Sequence, residues 1–324
     1  MKRNAGEYKG AHGQGQSFLA DGFRLSSWRE GMVWSTIRSM PTIKILGNFV
    51  KIEHTLFSLP MLFAGLLAGL SQKTGQAPAL FPLIAWVLLA GAGARTLALA
   101  LNRILDRAID GRNPRTRARE LPSGRLSLAA AWAVAAAGGL LYLAAALGLG
   151  GWCLRLAAIP PLVFILYPLM KRFTPAAHLG VGLGLGLAPL GGWMAAAQAW
   201  PPSLAACLLG GFTLCWVSGF DVLYAIQDMD FDRREGLHSI PARFGARAAR
   251  LSALFLHLGA LACLIGLGLG FGNAWAWLAL APAALLLGLE QWLGSSLDPG
   301  SRFFTVNAWL GFAVLLYVAV GLWR

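Results

Sequence analysis

Residues 80–110 read LFPLIAWVLLAGAGARTLALALNRILDRAID, an oily run that ends in Asn102, Asp106 and Asp110. About 20 apolar residues in a row are what a bilayer-spanning helix needs, so this stretch reads as a membrane helix with an acidic tip. Side chains four residues apart stay on one helix face, drifting roughly 40° per step. The amide and both carboxylates therefore project from one strip. Residues 221–245, DVLYAIQDMDFDRREGLHSIPARFG, repeat the design, with Tyr224, Asp228 and Asp232 at the same spacing behind another apolar run. Asp221 returns to that face about two turns deeper. Asp230 points to the other side, to be solvated or paired with an Arg.

Composition extends the reading to the whole chain. Its 324 residues are 57% hydrophobic and only 13% charged, where soluble domains carry about 25% charge. We expect an all-α, polytopic membrane protein of about nine spans. They lie near 55–71, 80–101, 126–148, 152–170, 178–198, 203–224, 250–270, 273–293 and 303–323. Lipid leaves no partner for unpaired backbone, so helices are the expected form. Alternating ten-residue segments, the mark of a barrel, are missing.

The net charge of +13 would suggest nucleic acid if it were spread over a surface. Instead Lys and Arg crowd the N-terminal region and the segments after spans two, four and six. These include Arg103 to Arg125, Lys171 with Arg172, and Arg233 to Arg250. The positive-inside rule makes those segments and the N-terminus cytoplasmic, and excludes a nucleic-acid partner. Spans two and six are an even number of crossings apart, so both acidic tips share that cytoplasmic face.

The remaining features are structural. Cys153, Cys207, Cys215 and Cys263 fall in apolar spans without ligand spacing, and are expected as small buried hydrophobes. The His residues are too scattered for a metal motif. The glycine run at 180, 182, 184 and 186 lies inside a span with no preceding strand, so it reads as close helix packing; Gly65, Gly69, Gly138 and Gly139 read likewise. Residues 1–40 form a tail, mobile over 1–25. Trp28, Met32, Val33 and Ile37 lie near one side of a helix, so 26–38 is an interfacial helix or a disordered lead-in. Residues 41–324 form one membrane domain, in which the repeated acidic tip and Arg-rich loop look like a weak internal duplication.

Carboxylates with a neutral oxygen suit Mg²⁺, which favours oxygen ligands, retained waters and substrate phosphates. Guanidinium groups nearby suit bidentate phosphate recognition. A solvated loop of paired Asp and Arg is the bland alternative, but it leaves the second copy on the same face unexplained. Asp221 is an acceptor-orienting group or base, or else a structural partner of an Arg. Tyr224 bonds a phosphate or a carboxylate, or else is an interfacial belt residue.

NxxxDxxxD with the trailing RTxxRxLPSG (115–124), then YxxxDxxxD with GxxSIPARFG (236–245), resembles the UbiA superfamily of intramembrane prenyltransferases. YPLMKRFT (167–174) and KIEHTLFSLP (51–60) are similar to its 4-hydroxybenzoate polyprenyltransferase branch. The resemblance covers most of 44–324; Arg103 departs from it, since many members carry a second acidic residue there. It implies helices around a central cavity that opens sideways to lipid, in a bacterial plasma membrane, with the active site on the cytoplasmic side. It implies that Asn102, Asp106, Asp110, Asp228 and Asp232 hold two Mg²⁺ against a polyprenyl diphosphate, with Arg115, Arg119, Lys171 and Arg172 on the diphosphate. Asp221 and Tyr224 are then the candidate catalytic residues. Trp193 and Phe164 are candidate walls for the allyl cation. The acceptor is an aromatic acid, 4-hydroxybenzoate toward ubiquinone first and a naphthoate toward menaquinone second. A transporter with acidic helix ends is the rival reading, although its carboxylates belong at midplane.

Overall fold

The computed structural model describes residues 41–50, 55–73, 79–294 and 300–323. The tail 1–40, its candidate helix 26–38 and the KIEH of 51–54 lie outside them. The described residues are helical, without a strand. The helices are α1 (Pro41–Phe49), α2 (Thr55–Gln72), α3 (Leu80–Leu105), α4 (Arg107–Arg112), α5 (Leu128–Leu149), α6 (Gly151–Arg155) and α7 (Ile159–Met170). There follow α8 (Ala177–Ala197), α9 (Leu204–Tyr224), a 3₁₀ turn (Ala225–Asp228), α10 (Met229–Arg234), α11 (Ile240–Phe271), α12 (Ala274–Leu293) and α13 (Gly300–Leu322). From Ile45 onward the chain is one compact unit.

Among the described residues, 7 helices are long and apolar enough to cross a membrane, and two further apolar helices, Ser58–Gln72 and Ile159–Met170, are shorter. Large apolar side chains stay exposed along most of these helices, Phe81 at 85% and Leu285 at 74% among them, and apolar surface of that extent suits lipid rather than water. The chain is an integral membrane protein. The span expected at 152–170 is two pieces, α6 and α7. Pro160 and Pro161 open α7; proline fits a first turn but lacks the N–H that would carry a helix through from α6.

Polar residues set the helix starts. Ser127, Ser203 and Ser239 each accept a hydrogen bond from the backbone N–H three residues on, which satisfies one of the unpaired N–H groups of a first turn. Most of the glycines act as expected, whereas Gly139 and Gly184 meet only side chains at ordinary contact distance. A Cβ at Gly65 would overlap the Pro189 carbonyl, one at Gly192 the Leu62 carbonyl, and one at Gly182 the Leu214 carbonyl. Close backbone approach thus fastens α2 to α8 and α8 to α9. The cysteines depart from expectation: none is fully buried, and Cys207 is exposed on an apolar helix where lipid takes the place of protein packing.

Candidate active site

Both acidic strips are broken helices rather than continuous ones. α3 ends at Leu105, Asp106 sits at the break with its N–H on the Asn102 carbonyl, and α4 starts at Arg107. The second strip changes pitch at the 3₁₀ turn ending in Asp228. Each break frees carbonyls that would otherwise be paired within a helix. At the first, the Arg172 guanidinium donates to the Leu105 carbonyl at 2.7 Å. The i, i+4 pattern looks the same in either geometry, so the breaks were hidden in the sequence.

The two strips converge. The loop after the first motif reaches the second: Asn113 Nδ2 donates to Asp228 Oδ1 at 3.0 Å, and Arg115 forks onto the same carboxylate through Nε at 2.9 Å and through Nη2. Arg115 Nη1 also donates to the Tyr224 hydroxyl at 3.2 Å, and its guanidinium lies over that ring. Arg119 Nη1 binds both oxygens of Asp110, at 2.9 and 2.8 Å. Arg112 pairs with Glu235 at 2.6 Å. From a third direction Lys171 Nζ donates to Asp106 Oδ2 at 2.6 Å, while Asn102 Nδ2 donates to the same oxygen at 3.3 Å. Asp232 Oδ2 accepts from Ser239, the residue that also caps α11. Asp230 is 82% exposed and lies 3.9 Å from Arg233, so both alternatives expected of it, solvation and an Arg partner, are met.

Asp106 is buried, and that burial pushes its carboxyl above the ordinary carboxylate range, against the opposing pull of Lys171. Its Oδ1 is buried with no hydrogen-bond partner. Among the described residues no three carboxylates or imidazoles stand close enough to enclose a metal ion as they are; cationic side chains hold Asp106, Asp110 and Asp228 instead. The donor chemistry nevertheless fits Mg²⁺: the set is all oxygen, and an orphaned buried acceptor wants a cation.

Beside this polar site lies a chamber of about 320 Å³ walled by α2, α3, α5, α6, α7 and α8. Ala98 and Phe164 line it; Asn102 and Lys171, one and two turns further along the same helices, belong to the polar site. Arg95 is the one charged side chain among its described lining residues. Phe164 therefore has the wall position expected of it. Trp193 does not: it is buried, and its indole N–H donates to Gln72 at 2.8 Å.

Sequence reasoning missed four residues. Arg95 left a signal, since a lone charge two turns before Asn102 is costly in an apolar span without a function. His178 Nδ1 lies 2.7 Å from Asp221 Oδ2, so the structural partner of Asp221 is an imidazole and not an Arg. Asn113 and Ser239 gave no signal, because each acts through a contact made only on folding. Arg103, the departure from the motif, is buried and pairs with Glu120 at 3.8 Å.

Comparison with known proteins agrees with this architecture. Residues 58–312 match the family model of the UbiA prenyltransferase family. The 4-hydroxybenzoate octaprenyltransferase of Idiomarina loihiensis is 31% identical over 83% of this chain and 93% of its own. The mitochondrial 4-hydroxybenzoate polyprenyltransferase of Arabidopsis thaliana is 32% identical over 75% of this chain and 61% of its own. The apo structure of a UbiA homologue from Aeropyrum pernix superposes with a TM-score of 0.71 at 35% identity, covering 83% of this chain and 98% of that one. A UbiA homologue from Archaeoglobus fulgidus, solved with GPP and Mg²⁺, shares the fold at a TM-score of 0.66 and 18% identity, over 86% and 98% of the two chains. With two acidic helix breaks, the basic loops between them and a family match across most of its length, this chain belongs to the UbiA prenyltransferase family.

Proposed function

We propose that the chain transfers a polyprenyl group from a polyprenyl diphosphate to the ring of an aromatic acid, 4-hydroxybenzoate first among acceptors, in a Mg²⁺-dependent reaction. One observation carries the reading: two acidic helix breaks, joined by Arg115 and with Arg119 and Lys171 on the carboxylates of the first, adjoin an apolar chamber whose one charged side chain among its described lining residues is Arg95. The polar part suits a diphosphate, the chamber an isoprenoid, and the Arg95 guanidinium an acid on the acceptor. The relatives named for 4-hydroxybenzoate, and the GPP and Mg²⁺ in a protein of the same fold, support the same choice of substrates. The catalytic unit is the membrane domain, 41–324, and its basic connections argue for a cytoplasmic active site.

In this reading Asn102, Asp106, Asp110, Asp228 and Asp232 hold the metal, which when bound neutralises charge on the leaving diphosphate. Arg115, Arg119 and Lys171 pass from their carboxylates to phosphate oxygens, and Arg172 stands beside them. The allylic C–O bond breaks with its electron pair going to diphosphate. The apolar walls exclude the water that would quench the allyl cation, and the Phe164 ring face stabilises it. The aromatic carbon then forms the new C–C bond, and the Asp221 carboxylate takes the ring proton. Tyr224, bonded to Arg115, fixes the guanidinium that meets the phosphate.

Purified protein in detergent, given a polyprenyl diphosphate, Mg²⁺ and a panel of 4-hydroxybenzoate, a hydroxynaphthoate and a non-aromatic alcohol, provides the test. Mass spectrometry should find a C-prenylated aromatic acid with stoichiometric diphosphate release. A product on the alcohol alone, or none, overturns the reading.

A further inference from the structure

His178 opens α8 at the seam between the two acidic motifs. Seven residues earlier, Lys171 bonds Asp106 through its side chain and accepts the His238 N–H at its carbonyl, 2.7 Å away. His178 itself is buried, with 4% of its surface exposed. Both of its ring nitrogens are engaged: the Ile240 N–H approaches Nε2 at 3.3 Å, and Nδ1 lies 2.7 Å from Asp221 Oδ2.

Those two bonds fix the tautomer. A backbone N–H can only donate, so Nε2 must present its lone pair, and the single ring proton sits on Nδ1 and is donated to Asp221. The start of α11 thereby dictates which way the imidazole faces the carboxylate. Asp221 Oδ2 is committed to that bond. Its Oδ1 has no hydrogen bond to the described residues, on a side chain 30% exposed. One oxygen is thus anchored while the other stays open to a ligand.

We propose that His178 is a positioning residue for the aryl transfer, aiming the open oxygen of Asp221 at the ring proton of the acceptor. This rests on the function proposed above, in which Asp221 is the proton acceptor. The arrangement links three helices: α11 sets the tautomer, α8 carries the imidazole, and α9 presents the carboxylate. The competing account makes His178 a staple that only secures the Ile240 backbone.

Two near-isosteric variants separate the accounts. In His178→Asn the side-chain amide stands where Nδ1 stood and still donates to Asp221, but nothing reaches Ile240. In His178→Gln the reach to Ile240 is kept and the Nδ1 donor is lost. We expect His178→Gln to lower kcat by about 10- to 100-fold with the KM for the prenyl diphosphate unchanged, as loss of a group that orients a reactive side chain does. His178→Asn, which keeps the orienting bond, should escape that roughly 10- to 100-fold loss. In an Asp221→Asn background, His178→Gln should cost nothing further, since its effect runs through Asp221.

Equal or greater activity in the Gln variant, or losses that add in the double variant, overturns the proposal. If His178→Gln cannot be purified, the same cycle run with His178→Ala decides on the same additivity. A wild type that prenylates no aromatic acid overturns the function and this inference together. A wild type that does, with Gln matching Asn, overturns the inference alone.

Discussion

The Lys171 ammonium lies 2.6 Å from Asp106 Oδ2 and joins the end of α7 to the break in α3. Lys171 is partly exposed and Asp106 is buried, so removing the cation strands a carboxylate away from water. Lys171→Met should destabilise the protein by about 1–3 kcal/mol and lower turnover. Adding Asp106→Asn removes the stranded charge as well. Thermal unfolding should then recover while activity stays lost, because the metal ligand is gone too. A double variant as unstable as the single one would count against this pairing.

Asp228 has three polar partners, Asn113, Arg115 Nε and Arg115 Nη2. Asp228→Ala and Asp106→Ala should each abolish diphosphate release while the protein still inserts and elutes as a single species. Full turnover in either variant removes the basis for a metal–diphosphate site.

Arg95 stands in the chamber wall two turns below Asn102. Arg95→Met should raise the KM for the aromatic acid by about 10- to 100-fold, the worth of a charge-assisted hydrogen bond, and leave the donor KM alone. The methyl ester of the acceptor tests the same contact. Wild type should discriminate against it and the variant should not. A rise in donor KM instead would move Arg95 from acceptor to diphosphate.

The parts legible in the sequence were those with local causes. Apolar length gave the membrane helices, spacing put Asn102, Asp106 and Asp110 on one strip and Asp228 and Asp232 on another, and a run of small residues gave the contacts around Gly182. What stayed hidden depends on partners far along the chain. Arg115 follows the first motif yet binds Asp228 of the second, and no periodicity encodes such a link. Trp193 and Phe164 looked alike as aromatic candidates, and only folding put Gln72 against one and the chamber against the other. At the helix break before Asp106, Arg172 reaches the Leu105 carbonyl from 67 residues away, again a contact without a local trace.

The α2–α8 seam offers a stability test free of the chemistry. Gly192 faces the Leu62 carbonyl with no room for a Cβ, whereas Gly288 has nothing within 4 Å of that position. Gly192→Ala should lower stability by about 1–3 kcal/mol, the usual cost of overpacking, and Gly288→Ala should be neutral or slightly stabilising, since glycine weakens a helix interior by up to about 1 kcal/mol. Unfolding curves in detergent read both. Equal behaviour would mean that α2 and α8 separate without strain, and that the seam is held by something other than backbone approach.

A second polar cluster lies within the bundle, away from the acidic breaks. The Trp216 indole N–H donates to Asn307 Oδ1 at 2.7 Å and to Glu290 Oε2 at 3.1 Å, while His257 Nε2 stands 3.6 Å from Glu290 Oε1. Glu290 is wholly buried, and an ion there is costly unless it is fully partnered. Glu290→Gln keeps the acceptor for Trp216 and removes the charge, so it should be tolerated. Glu290→Ala leaves a hole and strips an acceptor from the indole, and should cost about 2–4 kcal/mol. Unfolding midpoints ranked Gln above Ala, with the kcat of the Gln variant near wild type, would identify the cluster as a polar clasp between α9, α12 and α13. A Gln variant as damaged as Ala would instead require the charge itself.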